Sequence, residues 1–328
     1  MSTTTSPKLS LANGLLTNGV STVAILYVVL YGIYSRIEAG ALSVSAFSDL
    51  VNNTIPLAIA AAGATFVILL GGFDLSVAGV LSLVNVVLAT HPLDGAGGAL
   101  ASLLLAIGIG AAIGLCNGVL VAYGGLQSIA VTLAMMILTH GLALVVLDAP
   151  GGGVSDWISD TLTNNLWGVV PVSGTVAIVV ALLWAVFRRT NTGVALYAVG
   201  KDQTAAALSG INVKRTRCVA FVLAGALYGV AGFMLSAQTA SGDPNAGMPL
   251  LLLVFASVAL GGTAFSGGQG SLYGSMIGAA TLMLLQKVLF SSGFQSFYIG
   301  LFQGFVMIAA VIFVNLVTHF TRRSGSHA

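Results

Sequence analysis

Apolar residues fall in a succession of long runs separated by short polar stretches, and the short alternating segments of a closed β-barrel are absent. The hydrocarbon layer of a bilayer is about 30 Å thick, so a spanning helix needs roughly 20 apolar residues. Runs that fit this length predict spans near 18–36, 48–70, 75–91, 99–122, 128–147, 172–187, 218–238, 250–265, 271–290 and 297–318. The expected fold class is all-α: a polytopic integral membrane protein of about ten transmembrane helices, some discontinuous. Residues 1–328 form one transmembrane domain, with 1–17 as a polar tail. The first run reaches Arg36 without a small-residue cleavage site, which predicts a retained helix.

Composition agrees with bilayer as the solvent, since 57% of residues are hydrophobic and 6% charged, against the usual quarter. Placement of the charges gives orientation. If the N-terminus is cytoplasmic, inner segments hold Lys8, Arg188, Arg189, Lys201, Lys214, Arg215, Arg217, Arg322 and Arg323, nine of the eleven basic residues. The positive-inside rule then puts both termini in the cytoplasm. These cations form no face interleaved with aromatics, so nucleic acid is not an expected partner. Membrane lipid is.

Two long connections stand out. The outer one, 148–172, carries Trp157 and Trp167 and suits an interfacial segment. The inner one, 188–217, contains a stretch with a short-helix signature. Asp202 or Thr204 can cap its start, Ala205, Ala206 and Ala207 favour helix, and Gly210 can close it after Leu208 and Ser209. A small-faced helix held between two spans fits a groove on a partner protein, or else lies on the membrane.

Glycines at 110, 114 and 118, at 270, 274 and 278, and at 225 and 229 recur every four residues, so each set is expected on one helix face at a close helix contact. Asp74, in Gly71-Gly72-Phe73-Asp74-Leu75-Ser76, can cap a helix starting at Leu75 or Ser76, and a glycine-broken helix there can border a solute path. Leu260-Gly261-Gly262-Thr263-Ala264-Phe265-Ser266 partly echoes it. In the fifth span Ser128, Thr132, Met135 and Thr139 share a face beside His140, and Asn117 lies in the fourth. Such groups either join helices or line the path. Asp74, Ser76, Asn117, Ser128, Thr132 and Thr139 are the candidate pathway residues. With few charges inside the spans, the expected solute is neutral and polar.

Catalysis has no visible basis. Histidines 91, 140, 319 and 327 are scattered, and no paired nucleophile and base stands out. Cys116 and Cys218 lack the spacing of a metal site or structural disulfide, so no metal is expected. Gly200-Lys201 is followed by Asp202 and lacks the spacing of a phosphate-binding loop, so the chain is not expected to hydrolyse ATP.

Four segments together resemble the ribose-type permeases of bacterial ABC sugar importers. They are 65–79 with Gly71-Gly72-Phe73-Asp74-Leu75-Ser76-Val77, 117–141 with Val131-Thr132-Leu133, 197–215 with Leu208-Ser209-Gly210-Ile211-Asn212-Val213-Lys214-Arg215, and 243–278 with Pro244-Asn245-Ala246-Gly247 and Ser266-Gly267-Gly268. The resemblance implies a permease subunit in the bacterial inner membrane. It would dimerise with a like or unlike permease and receive a monosaccharide from an extracytoplasmic solute-binding protein. It would dock on a cytoplasmic ABC ATPase through Asp202, Ala205, Ala206, Leu208, Ser209 and Gly210. ATP and Mg would be bound by that partner, and no cofactor by this chain. An ion-coupled secondary transporter, or an importer of a non-sugar solute such as a nucleoside, is the alternative. This chain has Leu251-Leu252-Leu253-Val254-Phe255-Ala256 where the family pattern carries an acidic pair. Gln127, Ser128 and His140 replace its prolines and arginine in the fifth span. Both departures bear on the solute.

Overall fold

The computed structural model describes residues 19–295 together with 298, 300, 301, 304 and 305; the tenth predicted span, 297–318, and the terminal residues Lys8, Arg322 and Arg323 lie outside the described residues. Twelve helices cover the described chain: α1 (Gly19–Ile37), α2 (Val44–Ile68), α3 (Val77–Thr90), α4 (Gly95–Ala122), α5 (Ser128–Val146), α6 (Asp156–Thr163), α7 (Val172–Phe187), α8 (Asn191–Lys201), α9 (Gln203–Leu208), α10 (Val213–Thr239), α11 (Leu250–Leu260) and α12 (Leu272–Ser291). A two-stranded antiparallel hairpin, β1 (Asn165–Leu166) and β2 (Val170–Pro171), lies between α6 and α7.

Six of these helices are long and apolar enough to cross a membrane, and a seventh span forms if α7 and α8, bent by 80°, count as one. The remaining predicted spans are shorter helices. Residues 75–91 are helical only over the 14 residues of α3, and 250–265 only over the 11 of α11. α11 ends at Gly261-Gly262, where the apolar run continues and the helix does not.

Lipid offers no hydrophobic drive between helices, so backbone approach through small residues holds them together. α4 and α10 run antiparallel along such a seam. A Cβ on Gly110 would lie 2.0 Å from the Gly225 carbonyl oxygen, one on Gly114 would lie 2.2 Å from that of Phe221, and one on Gly229 would lie 2.1 Å from that of Ala106. The second seam joins α11 to α12, with Gly274 against Gly261 and Gly278 against Ser257. Gly270, expected on the same helix face, is instead outside α12 at φ +141°, in the break before it.

Helix α2 is the axis of the molecule, with Ile59 to Ala62 fully buried. Its N-terminal end carries the hairpin: Asn52 Nδ2 donates to the Thr163 carbonyl (2.8 Å), and Ser48 Oγ donates to Asn165 Oδ1 (2.7 Å). Trp167, at the hairpin tip, is 90% exposed, and Trp157 is exposed as well. The inner connection contains α8 as well as the expected short helix. Thr190 caps it by accepting from the Gly193 amide, and its Tyr197 ring packs on Trp184 of α7.

The α4/α10 seam generates a sharp contrast. Gly225→Val places side-chain carbon inside the Gly110 backbone and is expected to cost at least about 3 kcal/mol, at the upper end of overpacking. Gly108→Ala, in open space on the same α4 helix, is expected to be neutral. Thermal unfolding followed by size-exclusion chromatography of the two variants in detergent checks this; equal midpoints would contradict the seam.

Candidate functional site

The first break starts where α2 ends. Gly71, at φ +73°, turns the chain while its amide donates to the Ile68 carbonyl (2.8 Å) and the Gly72 amide donates to that of Val67 (3.1 Å). The segment then runs non-helical through Phe73 and Asp74. Two hydroxyls of α5 hold it: the Phe73 amide donates to Ser128 Oγ (3.3 Å), and Thr132 Oγ1 donates to the Phe73 carbonyl (3.4 Å) as well as to that of Ser128 (2.8 Å). Thr139, further along the same face, sits against Gly79, where a Cβ would lie 1.9 Å from its Oγ1. The α5 hydroxyl face thus meets α3 and its leading loop. The Phe73 ring lies between Phe255 and Phe265, which belong to α11 and the second break.

Asp74 is buried and does not cap the first turn of helix directly. Its Oδ1 accepts from the Ser76 amide (3.1 Å) and from Ser76 Oγ (2.5 Å), and α3 begins one residue later at Val77. Asn117 of α4 donates through Nδ2 to Ser76 Oγ (2.9 Å). Asp74, Ser76 and Asn117 therefore form one hydrogen-bonded chain, all at most 1% exposed.

The second break, between α11 and α12, meets the first. The Gly268 amide donates to the Leu69 carbonyl (2.8 Å), an acceptor left at the C-terminus of α2. Gly200, at the end of α8, closes over this bond, since a Cβ there would lie 1.8 Å from the Leu69 oxygen and 2.7 Å from the Gly268 nitrogen. Tyr197 of α8 donates its hydroxyl to the Gly270 carbonyl (2.9 Å). Three backbone segments are thus joined within a few ångströms: the end of α2, the end of α8, and the loop before α12. The echo in the sequence pairs Gly71-Gly72 with Gly261-Gly262, but the partners of the first break are Ser266 to Gly268.

Directly after this junction comes the short inner helix α9. Asp202 Oδ1 accepts from the amides of Thr204 (2.8 Å) and Ala205 (2.9 Å), and Gly210, at φ +83°, ends the turn after Ser209. Leu208 projects outward at 86% exposure and Ala205 is exposed, whereas Ala206 is buried against the protein.

The C-terminal half of α3 is fixed by amide chemistry. Asn85, fully buried, donates to Ser236 Oγ (3.2 Å) and to the Ser241 carbonyl (3.0 Å), and accepts from the Asp243 amide (2.6 Å). Ser82 Oγ accepts from the Gly247 amide (3.0 Å), and His140 Nε2 meets Asn245 Oδ1 at 3.1 Å. A cavity of about 340 Å³ opens beside the C-terminal end of α2, lined by Gly71, Gly72, Gln127, Ser128, Arg217 and Phe221 among others. A largely apolar groove of about 250 Å³ lies between α1, α2, α7 and α12, beside Tyr27, Thr54, Ala58, Gly174 and Met276. Among the described residues no three His, Cys, Asp or Glu side chains converge as metal ligands.

Sequence reasoning missed Gly200, Tyr197 and Tyr228. Gly200-Lys201 lacks the spacing of a phosphate loop, and Tyr228, fully buried on α10 against Gly63 of α2, sits one residue before a glycine assigned to packing. Neither carries a motif.

A family model described as branched-chain amino acid transport system / permease component matches residues 46–311. The chain is 33% identical over 302 residues to the ribose import permease protein of Escherichia coli (strain K12), covering 90% of this chain and 92% of that one. It is 35% identical over 253 residues to the ribose import permease protein of Bacillus subtilis (strain 168), covering 76% and 78%. It is 33% identical over 258 residues to the D-allose transport system permease protein of Escherichia coli (strain K12), covering 78% and 79%. No solved structure matches the chain.

Asn85→Leu removes the partner of the buried Asp243 amide and is expected to lower stability by about 1–3 kcal/mol. Asn85→Asp keeps the acceptor for that amide but sets a buried carboxylate oxygen against the Ser241 carbonyl, and is expected to lose at least as much. Unfolding midpoints of both variants check the order, and a smaller loss for the aspartate would contradict it.

Proposed function

We propose that this chain, which belongs to the branched-chain amino acid transport system / permease component family, is the membrane-spanning subunit of an ATP-driven importer, carrying a monosaccharide or similarly small neutral solute into the cytoplasm. The sugar follows from the relatives, which are named for ribose and D-allose. A neutral solute agrees with a first break surrounded by hydroxyl and amide groups.

The observation that carries the reading is the junction at Leu69, Gly200 and Gly268. A permease powered by a separate ATPase needs an inner element that a partner can grip and a stiff link from it to the path. Helix α9 supplies the first, with capped ends and Leu208 outward. The glycine-packed backbone contact supplies the second, two residues before the cap. On this reading Asp202, Ala205, Leu208, Ser209 and Gly210 shape the contact with the ATPase, and Ala206 seats the helix on the permease. Asp74, Ser76, Asn117, Ser128, Thr132 and Thr139 border the path by setting the form of its first break. An ion-gradient carrier would need no such grip.

This subunit performs no covalent step; ATP and Mg²⁺ belong to the partner ATPase. Solute arrives from an extracytoplasmic binding protein on the side of Trp157 and Trp167, and a second permease chain completes the path. Both termini lie in the cytoplasm of the bacterial inner membrane. ATPase closure pulls α9, and the two breaks shift together, exchanging outward for inward access.

Two substitutions separate grip from link. Leu208→Asp is expected to abolish co-purification of the ATPase while insertion is unchanged. Gly200→Ala is expected to keep the ATPase bound. Overpacking costs about 1–3 kcal/mol, enough to shift an equilibrium between access states about 5- to 150-fold, so uptake falls while ATP hydrolysis continues. Solute uptake by this chain alone in liposomes would contradict the reading.

A further inference from the structure

The cavity of about 340 Å³ beside the C-terminal end of α2 has one charged side chain in its wall among the described residues, Arg217 of α10. Its guanidinium is half-buried and makes no hydrogen bond or ion pair among the described residues. Sharing the wall are Gln127, whose side chain does not cap α5, and Ser128, whose Oγ accepts from the Phe73 amide. No aspartate or glutamate lines the space.

Such a wall is rich in donors. A guanidinium only donates, the Ser128 oxygen already serves Phe73 while its proton is left to give, and Gln127 adds an amide that donates and accepts. A sugar hydroxyl donates as readily as it accepts, so a neutral sugar leaves this set short of acceptors. An ionised phosphoryl group only accepts, carries the opposite charge, and matches the fork of an arginine. An inorganic phosphate ion does not fill the space, which reaches the range of small-molecule pockets, roughly 300 Å³ and upward. Leu70, Val121, Leu126 and Phe221 give it apolar walls suited to the organic part of an ester.

We propose that this cavity binds an organic phosphate ester, with the phosphoryl group held by Arg217, Gln127 and Ser128. Because Arg217 belongs to α10, and Ser128 holds the non-helical Phe73 from α5, the bound ester ties α10 to the first break. Two sources share this chemistry. One is the headgroup of a membrane phospholipid, for which the exposed Tyr123 and Leu126 at the end of α4 offer an apolar approach. The other is a soluble sugar phosphate. That the cavity faces the cytoplasm rests on the transport reading; the binding itself does not.

Binding is measured on the full chain, purified in detergent and stripped of lipid, as the rise of the unfolding midpoint with ligand concentration. The probes are ribose 5-phosphate, short-chain phosphatidylglycerol and inorganic phosphate. The better of the two esters names the source, and is expected to bind about tenfold or more tighter than inorganic phosphate because its organic part covers apolar wall. Arg217→Gln is expected to weaken that binding by about tenfold or more, the scale of a hydrogen bond to a charged group. Arg217→Lys, which keeps the charge without the fork, is expected to fall between. Arg215→Gln, two residues earlier and outside the cavity wall, is expected to bind as wild type. No binding by either ester, inorganic phosphate matching the better ester, or equal losses at 215 and 217 would overturn the proposal. If Arg217→Gln fails to fold, Leu126→Cys, with Cys116 and Cys218 replaced by serine, reports on the same wall. The ester is expected to protect that thiol from a maleimide, and an unchanged labelling rate would overturn the site. None of these outcomes involves α9 or uptake, so the transport reading stands or falls separately.

Discussion

A helix that stops inside a membrane protein leaves carbonyl and amide groups that lipid cannot satisfy. This chain stops two helices and lets each break satisfy the other, through the Gly268 amide donating to the Leu69 carbonyl. Direct backbone contact leaves no room for side chains, which is why glycine occupies 71, 200, 267 and 268. Much else follows from that contact. It shortens α3 and α11, sets α12 against α2 where Thr65 Oγ1 donates to Ser275 Oγ (2.7 Å), and brings the inner helices against the core.

Around the junction, the protein solves its polar problems with neutral groups. Hydroxyls return to carbonyls one turn back or hold the non-helical Phe73, and Asn85 and Asn117 bridge helices. Among the described residues most cations lie in the connection 188–217, at whose end Lys214 and Arg215 open α10 after the Asn212 cap. An interior of this kind tolerates relative movement of its helices, because breaking a neutral hydrogen bond costs far less than exposing a charge. Stiff glycine seams and a neutral path are two sides of one design for moving a polar solute.

The spans were legible because lipid demands long apolar runs, and the α4 and α10 glycines were legible because a spacing of four puts them on one face. Helix ends were less so. Hydropathy does not register where an apolar run stops being helical, hence the overextended 250–265 and the placement of Gly270 on a helix. The cap at Asp202 and the turn at Gly210 are local chemistry and could be read directly. The hydroxyl face of Ser128, Thr132 and Thr139 could be seen but not its partner, because contact with Phe73 and Gly79 depends on a fold fifty residues wide of any local signal. Gly200 and Tyr228 were invisible for the same reason: their roles come entirely from what lies across from them.

The central claim is that α9 and the second break move as one body. Spin labels at Gln203 of α9 and Gln269, both exposed, with Cys116 and Cys218 replaced by serine, report that distance in the assembled importer by pulsed electron resonance. The account predicts one unchanged distance distribution between nucleotide-free and ATP-trapped states, while a pair at Gln203 and Val145, exposed on α5, shifts. A Gln203–Gln269 distance that changes with nucleotide would contradict it.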